Sequence, residues 1–206
     1  MCKLEESIFF YTRNDYLIIN NLLAHGNKND DIWKFVEISN TDSKGVLKEH
    51  EDGLCRLNDT SLNWYNGRIY DALTDEVKAR ILQTAVGDIS NIIKAMKPSE
   101  NEIVLHRNVR VGDALHECEI GDIVEIPIIS SASLTPFNPG YEFIRYEIIV
   151  PKGGQVLLLD QFGKDIRNEE GEVLLPPMAC RVEEICVGTE KCARIIKLRY
   201  LDIISK

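Results

Sequence analysis

The hydrophobic pattern of this 206-residue chain changes once, near Pro98. Before that point apolar residues recur every three or four positions, as they do on the buried face of an α-helix. After it, short runs rich in β-branched residues are separated by turn residues, as in consecutive β-strands. Helices followed by a run of strands are typical of an α+β protein and not of an alternating α/β fold. We therefore predict a single domain with a mainly helical lobe over residues 1–98 and a β-rich part over residues 99–206.

Three helices are expected in the first half. Residues 14–24 carry apolar side chains at helical spacing, with Asn14 or Asp15 as the N-cap. A short helix is expected after Asp30 and Asp31, whereas residues 39–59 are polar and expected to form a loop. The clearest helix is expected to begin at Thr74 and to end before Pro98, with a broad apolar face formed by Ile81, Leu82, Ala85, Ile89, Ile92, Ile93 and Met96.

Seven strands are expected in the second half, each bounded by glycine, proline or aspartate. They are residues 102–109, 123–129, 144–150, 156–159, 172–175, 180–187 and 193–204.

The charge balance restricts the classes of partner. The chain has 33 acidic and 24 basic residues, a formal net charge of -9, which argues against broad contact with nucleic acid or an anionic membrane. Its apolar runs are far shorter than the roughly 18 residues of a membrane-spanning helix. The first residues are acidic where a signal peptide would be basic. We expect a cytoplasmic protein, or one delivered into a target or host cell without a classical signal peptide.

Six cysteines could form three disulfides, but a chain of this length without a secretory signal does not need them. We expect reduced thiols. There is no paired C-x-x-C, so no zinc site or other metal is expected.

Three short features in the strand half carry reactive side chains. Arg107 lies inside an apolar strand, where a charged group usually needs a partner. Ser131 and Ser133 are two apart, so on an extended segment both hydroxyls face the same side. Glu170 and Glu172 share the same spacing and can flank one small reacting centre. Taken singly, each has an ordinary interpretation: a surface arginine, a polar strand end and a solvated acidic turn.

Taken in order, these features resemble a known signature. Arg107, then Ser131-Ala132-Ser133, then Glu170-Gly171-Glu172 followed by Val-Leu-Leu-Pro is similar to the R, S-T-S and E-x-E motifs of arginine-specific mono-ADP-ribosyltransferases. That group includes clostridial binary toxins and vertebrate ecto-transferases. The resemblance covers residues 102–187, with a looser match in the segment YTRNDYLIIN. It implies a mixed, mainly antiparallel β-sandwich after the helical lobe, with NAD as co-substrate.

The resemblance also implies a role for each residue of the signature. Glu172 would bind the ribose and stabilise the positive charge that develops there, held by Ser131 with Ser133 in support. Arg107 would bind the NAD diphosphate, for which a guanidinium is better suited than an ammonium. Glu170 would engage the guanidinium of an acceptor arginine and take its proton.

The remaining candidates are less directly marked by the signature. Asn108 stands where the family commonly has glycine or a second arginine, and it is included in the expected NAD-binding set. Phe143 and Arg145 are candidates for the adenine side of NAD. Residues 161–168 would form the loop that meets the target protein, with Phe162 as its aromatic contact, although Phe162 could equally pack back on the core. Ala132 replaces the family's usual threonine.

Several functions stay open at this point. The preferred one is transfer of ADP-ribose to an arginine of a target protein by a monomer. An NAD glycohydrolase, or a transferase to an acceptor other than arginine, uses the same residues. A third possibility is a catalytically silent module that binds NAD or a protein.

Overall fold

The computed structural model describes residues 2–12, 16–26, 48–49, 55–56, 75–111, 115, 117–136, 140–163, 171–189 and 192–204. The chain divides into two compact units, Met1–Ala95 and Met96–Lys206.

Two of the predicted helices are present in the first unit. Helix α2 spans Tyr16–His25 and helix α3 spans Asp75–Ala95. Asp75 and Glu76 lie in the first turn of α3, where negative charge stabilises the exposed N–H groups. The proposed caps Asn14, Asp15 and Thr74 and the short helix expected after Asp30 and Asp31 lie outside the described residues.

Three of the described elements of the first unit were not predicted. Helix α1, Lys3–Phe10, has only two turns, too few for a clear helical period. Its first turn is closed by Glu5, whose Oε2 accepts the N–H of Cys2 at 2.8 Å. The segment 39–59, predicted as a loop, contains two antiparallel strands of two residues each, β1 (Lys48–Glu49) and β2 (Cys55–Arg56).

A polar network interrupts the apolar face of α3. Ile81, Ala85 and Ile92 are buried as predicted, but Asp88 is also buried at 2% exposure. Its Oδ1 accepts the hydroxyl of Ser7 at 2.7 Å, and Asn91 donates to the same hydroxyl oxygen at 3.0 Å. This hydrogen bond joins α1 to α3 and makes the burial of the carboxylate tolerable.

The second unit is built on one nine-stranded sheet, in the order β3-β8-β9-β6-β4-β7-β11-β10-β5. Its eight neighbouring pairs are antiparallel except β7 with β11. The α+β class with a mixed, mainly antiparallel sheet is therefore confirmed. The strands are β3 (Lys97–Pro98), β4 (Ile103–Arg110), β5 (Ile123–Ile126), β6 (Ser130–Ser133), β7 (Gly140–Val150), β8 (Gln155–Leu158), β9 (Glu172–Leu175), β10 (Met178–Thr189) and β11 (Cys192–Ile203).

The strands β4, β8 and β9 begin and end within one residue of their predicted bounds. The predicted strand 123–129 is shorter, because the sheet contact of β5 stops at Ile126. The serine segment then forms a strand of its own, β6. Strand β7 begins earlier than expected, at Gly140.

An apolar core lies against one face of this sheet and fixes the register of its strands. Leu105, Ile148, Val173 and Leu198 are fully buried in it, and Ala132 is 5% exposed. Because strand side chains alternate, the neighbours of Ala132 and Val173 along β6 and β9 point to the opposite face. No helix in the part of the chain that the structure describes is long and apolar enough to cross a membrane.

Candidate functional site

The predicted serines and Glu172 lie on two adjacent antiparallel strands. In the register of β6 with β9, Ser133 is opposite Glu172 and Ser131 is opposite Leu174. Opposed residues of an antiparallel pair share a face, and so do residues two apart on one strand. Ser131, Ser133 and Glu172 therefore lie on the face opposite to the buried Ala132 and Val173.

A short hydrogen bond joins two of these side chains. The hydroxyl of Ser131 donates to Oε1 of Glu172 across 2.6 Å. Glu172 is only 7% exposed, so the bond forms largely out of water, where hydrogen bonds to a charged acceptor are strong. The carboxylate of Glu172 is thus fixed in orientation by a neighbouring strand.

Arg107 meets the same segment from β4. Its Nη1 donates to the main-chain oxygen of Ser131 at 2.7 Å. Ser131 therefore contacts Arg107 through its carbonyl and Glu172 through its hydroxyl. Alternation along β4 puts the Cβ of Arg107 on the face that carries Leu105, and its side chain is half-buried.

Ser133 makes a local contact. Its Oγ accepts the N–H of Thr135 at 3.2 Å and lies 3.5 Å from the Thr135 hydroxyl. Such a serine-centred turn orders the chain as it leaves β6. The structure thus places Ser133 opposite Glu172 in the sheet, with its hydroxyl directed at the following turn.

The residues expected to bind NAD beside Arg107 are paired across β4 and β7. Asn108 is opposite Arg145, and Arg110 is opposite Phe143. Arg145 is 8% exposed. Both polar atoms of the Asn108 side chain are buried without a hydrogen-bond partner among the described residues. Buried amide groups are normally satisfied, so these two atoms mark a place where a polar ligand would fit.

His106 lies on the same face of the sheet as Ser133 and was not identified as a candidate from the sequence. It is opposite Ser133 on one side and Glu147 on the other. Its Nδ1 lies 3.9 Å from Oε1 of Glu147. Burial lowers the pKa of His106 and outweighs the opposite effect of Glu147. The only signal in the sequence was its position beside Arg107.

Gly171, the residue between the two predicted glutamates, directly precedes strand β9. Its N–H donates to Oδ1 of Asp160 at 3.1 Å, and its carbonyl accepts the N–H of Leu134 at 3.1 Å. Phe162 is half-buried just after the 3-10 turn Leu159–Gln161. Glu170 and residues 164–168 of the expected target-binding loop lie outside the described residues.

The side chains of four of the six cysteines are described, and all four are free thiols: Cys2, Cys118, Cys180 and Cys186. Burial raises the pKa of Cys180 to about 12, so it stays protonated. Among the residues with described positions, no group of three or more His, Cys, Asp or Glu side chains is arranged to hold a metal ion.

Comparison with solved structures identifies the architecture. The ATR domain of Salmonella SpvB superposes with a TM-score of 0.59 at 18% identity, covering 98% of this chain and 100% of that one. The Clostridium limosum C3 exoenzyme gives 0.57 at 14% identity, covering 98% and 86%. Plx2a, an ADP-ribosyltransferase toxin from Paenibacillus larvae, gives 0.56 at 15% identity, covering 98% and 87%. The chain has the ADP-ribosyltransferase fold.

This assignment rests on structure alone. No protein-family model matches the sequence. No curated protein sequence matches it either. The fold alone does not determine the activity, because one fold hosts more than one function.

Proposed function

We propose that both units form one mono-ADP-ribosyltransferase domain, which transfers ADP-ribose from NAD to an arginine side chain of a target protein. The observation that carries the proposal is the 2.6 Å hydrogen bond from Ser131 to Glu172 on adjacent strands of an ADP-ribosyltransferase fold. Arg107 contacts the same serine through its carbonyl. The fold supports the architecture, and these contacts support the chemistry.

Glu172 stabilises the reacting ribose. NAD supplies an ADP-ribosyl group whose bond to the nicotinamide nitrogen breaks, and positive charge develops on the ribose as it does so. A carboxylate held beside that charge lowers the barrier, as in glycosidases. Since the Ser131 hydroxyl already orients Oε1 of Glu172, little reorganisation is needed at the moment of reaction.

A polar set on β4, β6 and β7 binds the rest of NAD. Arg107 offers a guanidinium, whose planar donors match phosphate oxygens. Asn108, whose side chain leaves β4 on the face opposite to the Cβ of Arg107, contributes buried amide atoms that need a partner, and the cation of Arg145 is directly across the strand pair. We assign Ser133 to the support of Glu172, and Phe143, at the end of this row, to the adenine side.

Glu170 selects the acceptor in this proposal, which rests on the E-x-E resemblance. Its carboxylate would orient the incoming guanidinium and take one of its protons as the nitrogen bonds to the ribose carbon. The atoms then balance: nicotinamide leaves, ADP-ribose is joined to arginine, and the proton passes to Glu170. A glutamine at this position could still bind polar groups but could not accept that proton.

The partner is a protein. Phe162 is half-buried, and we propose that it contacts this partner together with residues 164–168, the segment expected to meet the target. We propose that the chain acts as a monomeric toxin or effector in a target cell and uses no metal. The net charge of -9 favours a protein target over nucleic acid.

The test is release of nicotinamide from NAD, measured beside transfer of labelled ADP-ribose to polyarginine. Glu172→Ala should lose both activities, by about 10²–10³-fold, because it removes the group that stabilises the developing charge. Glu170→Gln should keep nicotinamide release and lose transfer. Glu125→Gln, on the exposed face of edge strand β5, is the matched control and should keep both.

Each contrary result has a distinct meaning. Loss of nicotinamide release in Glu170→Gln would overturn the division of labour between the two glutamates. Release without transfer in the wild type would favour an NAD glycohydrolase or a different acceptor. A folded wild-type protein that shows neither activity would favour the silent binding module.

A further inference from the structure

Both the backbone N–H and the backbone carbonyl of Gly171 are hydrogen-bonded. Its N–H donates to the carboxylate of Asp160, eleven residues earlier in the chain. Its carbonyl accepts the N–H of Leu134, which follows strand β6 directly. Two separate segments therefore fix a single residue immediately before Glu172.

The backbone conformation of Gly171 makes these two contacts possible. Its φ is +70°, a left-handed value that residues with a Cβ rarely adopt. Space is not the restriction, since a Cβ built there would meet Leu134 Cβ at an ordinary 3.7 Å. Glycine is thus required by the direction that the chain takes into β9.

The side chain of Glu172 does not depend on this arrangement alone. Its Oε1 is held by Ser131, and its residue is paired with Ser133 in the sheet. Glu170, by contrast, is joined by its peptide bond to the nitrogen of Gly171. The hydrogen on that same nitrogen is donated to Asp160. Asp160 therefore holds the peptide group that links Glu170 to Gly171, the residue between the two glutamates.

We infer that Asp160 is a positioning residue for the acceptor half of the reaction. It holds the Gly171 amide and so sets where the chain carrying Glu170 departs from β9. This inference rests on the proposed function, because it uses the division between cleavage of NAD at Glu172 and transfer at Glu170. Asp160 itself needs no contact with either substrate.

The experiment compares Asp160→Ala and Asp160→Asn in the full chain. The alanine variant removes the acceptor, and arginine transfer should fall about tenfold, the effect of losing one hydrogen bond to a charged group. Nicotinamide release should change less than about threefold, a margin well below that loss. Asparagine retains an oxygen acceptor and should restore most of the transfer.

A matched control uses another aspartate that accepts a backbone N–H in a turn. Asp122 Oδ2 accepts the N–H of Glu119 at 2.8 Å, at the entrance to edge strand β5. Asp122→Ala removes a comparable exposed hydrogen bond and should leave both activities unchanged. Hydrogen exchange of the peptide around Gly171 is measured in all variants, and it should be faster in Asp160→Ala only.

The outcomes separate this inference from the proposed function. If transfer and nicotinamide release fall in parallel in Asp160→Ala, or if asparagine fails to restore transfer, Asp160 is not a positioning residue for the acceptor. Unchanged exchange at Gly171 also overturns the inference. If the folded wild type neither cleaves NAD nor modifies arginine, the proposed function fails, and with it the assignment to the acceptor half. Faster exchange in Asp160→Ala would then support only the contact between Asp160 and Gly171.

Discussion

Replacing Ser131 by alanine separates its two contacts. The substitution deletes the hydroxyl that donates to Glu172 but keeps the main-chain oxygen that accepts from Arg107. The strand already contains an alanine at the next position, Ala132. Any loss of activity in Ser131→Ala would therefore report the hydrogen bond to the carboxylate and not a change in the position of Arg107.

The size of the effect follows from the geometry of that bond. It is 2.6 Å long, its acceptor is a carboxylate, and Glu172 is 7% exposed. A hydrogen bond to a charged group contributes about 1.5–3 kcal/mol. Since about 1.4 kcal/mol corresponds to a factor of ten, nicotinamide release should slow by about 10-fold to about 150-fold.

The assay is nicotinamide release at saturating NAD, with far-ultraviolet circular dichroism to verify the fold. Ser133→Ala is a comparison within the same site, because Ser133 is paired with Glu172 in the sheet but its hydroxyl is directed at Thr135 in the following turn. Ser133→Ala should slow nicotinamide release by less than about a factor of ten, which is the effect of losing a neutral exposed hydrogen bond. If Ser131→Ala releases nicotinamide at the wild-type rate while Glu172→Ala does not, the hydroxyl does not orient the carboxylate during the reaction.

Three further predictions concern other parts of the molecule. Arg107→Lys should raise the KM for NAD about tenfold or more, because an ammonium lacks the planar fork of donors; an unchanged KM in initial-rate measurements would contradict this. Ser7→Ala should lower the melting temperature by roughly 3–12 °C, since it removes a buried hydrogen bond to Asp88, whereas Ser99→Ala, with its exposed bond, should change it little. Burial lowers the pKa of His106, so the unfolded chain binds this proton more readily, and stability should fall as the pH drops through about 6.5. In denaturant titrations His106→Gln should show a weaker decline over the same range, and an identical decline would exclude His106 as its source.

Much of the fold could be predicted from hydrophobic periodicity. In the strand β4 the buried Leu105 lies between the more exposed Val104 and His106, and helix α3 runs for 21 residues between an acidic start and Pro98. Both patterns are long enough to distinguish a period of 2 from one of 3.6. The helix α1 and the strand β6 are short, and β6 consists of serine and alanine, which have little β propensity. Their structure depends on partners elsewhere in the chain.

The site could be predicted only as an ordered set of residues. The sequence separates Ser131 from Glu172 by 41 positions, and periodicity says nothing about their distance. The register of β9 against β6 decides whether these two side chains meet, because a shift of one residue would turn every side chain of β9 to the other face. The same holds for Ser7 with Asp88 and for His106 with Glu147, which meet only through tertiary packing.

The position of Glu172 in the sheet explains how acceptor choice can change without loss of NAD cleavage in the proposed reaction. Strand β9 is internal, paired with β8 on one side and β6 on the other, and Glu172 is its first residue. Its backbone is paired with Ser133, whereas the strand pairing with β8 begins only at Val173. Glu170 precedes the first residue of this strand by two positions in the sequence. In the proposed reaction, a substitution at position 170 is therefore expected to change transfer to the acceptor, while the Ser131 hydroxyl still donates to Glu172.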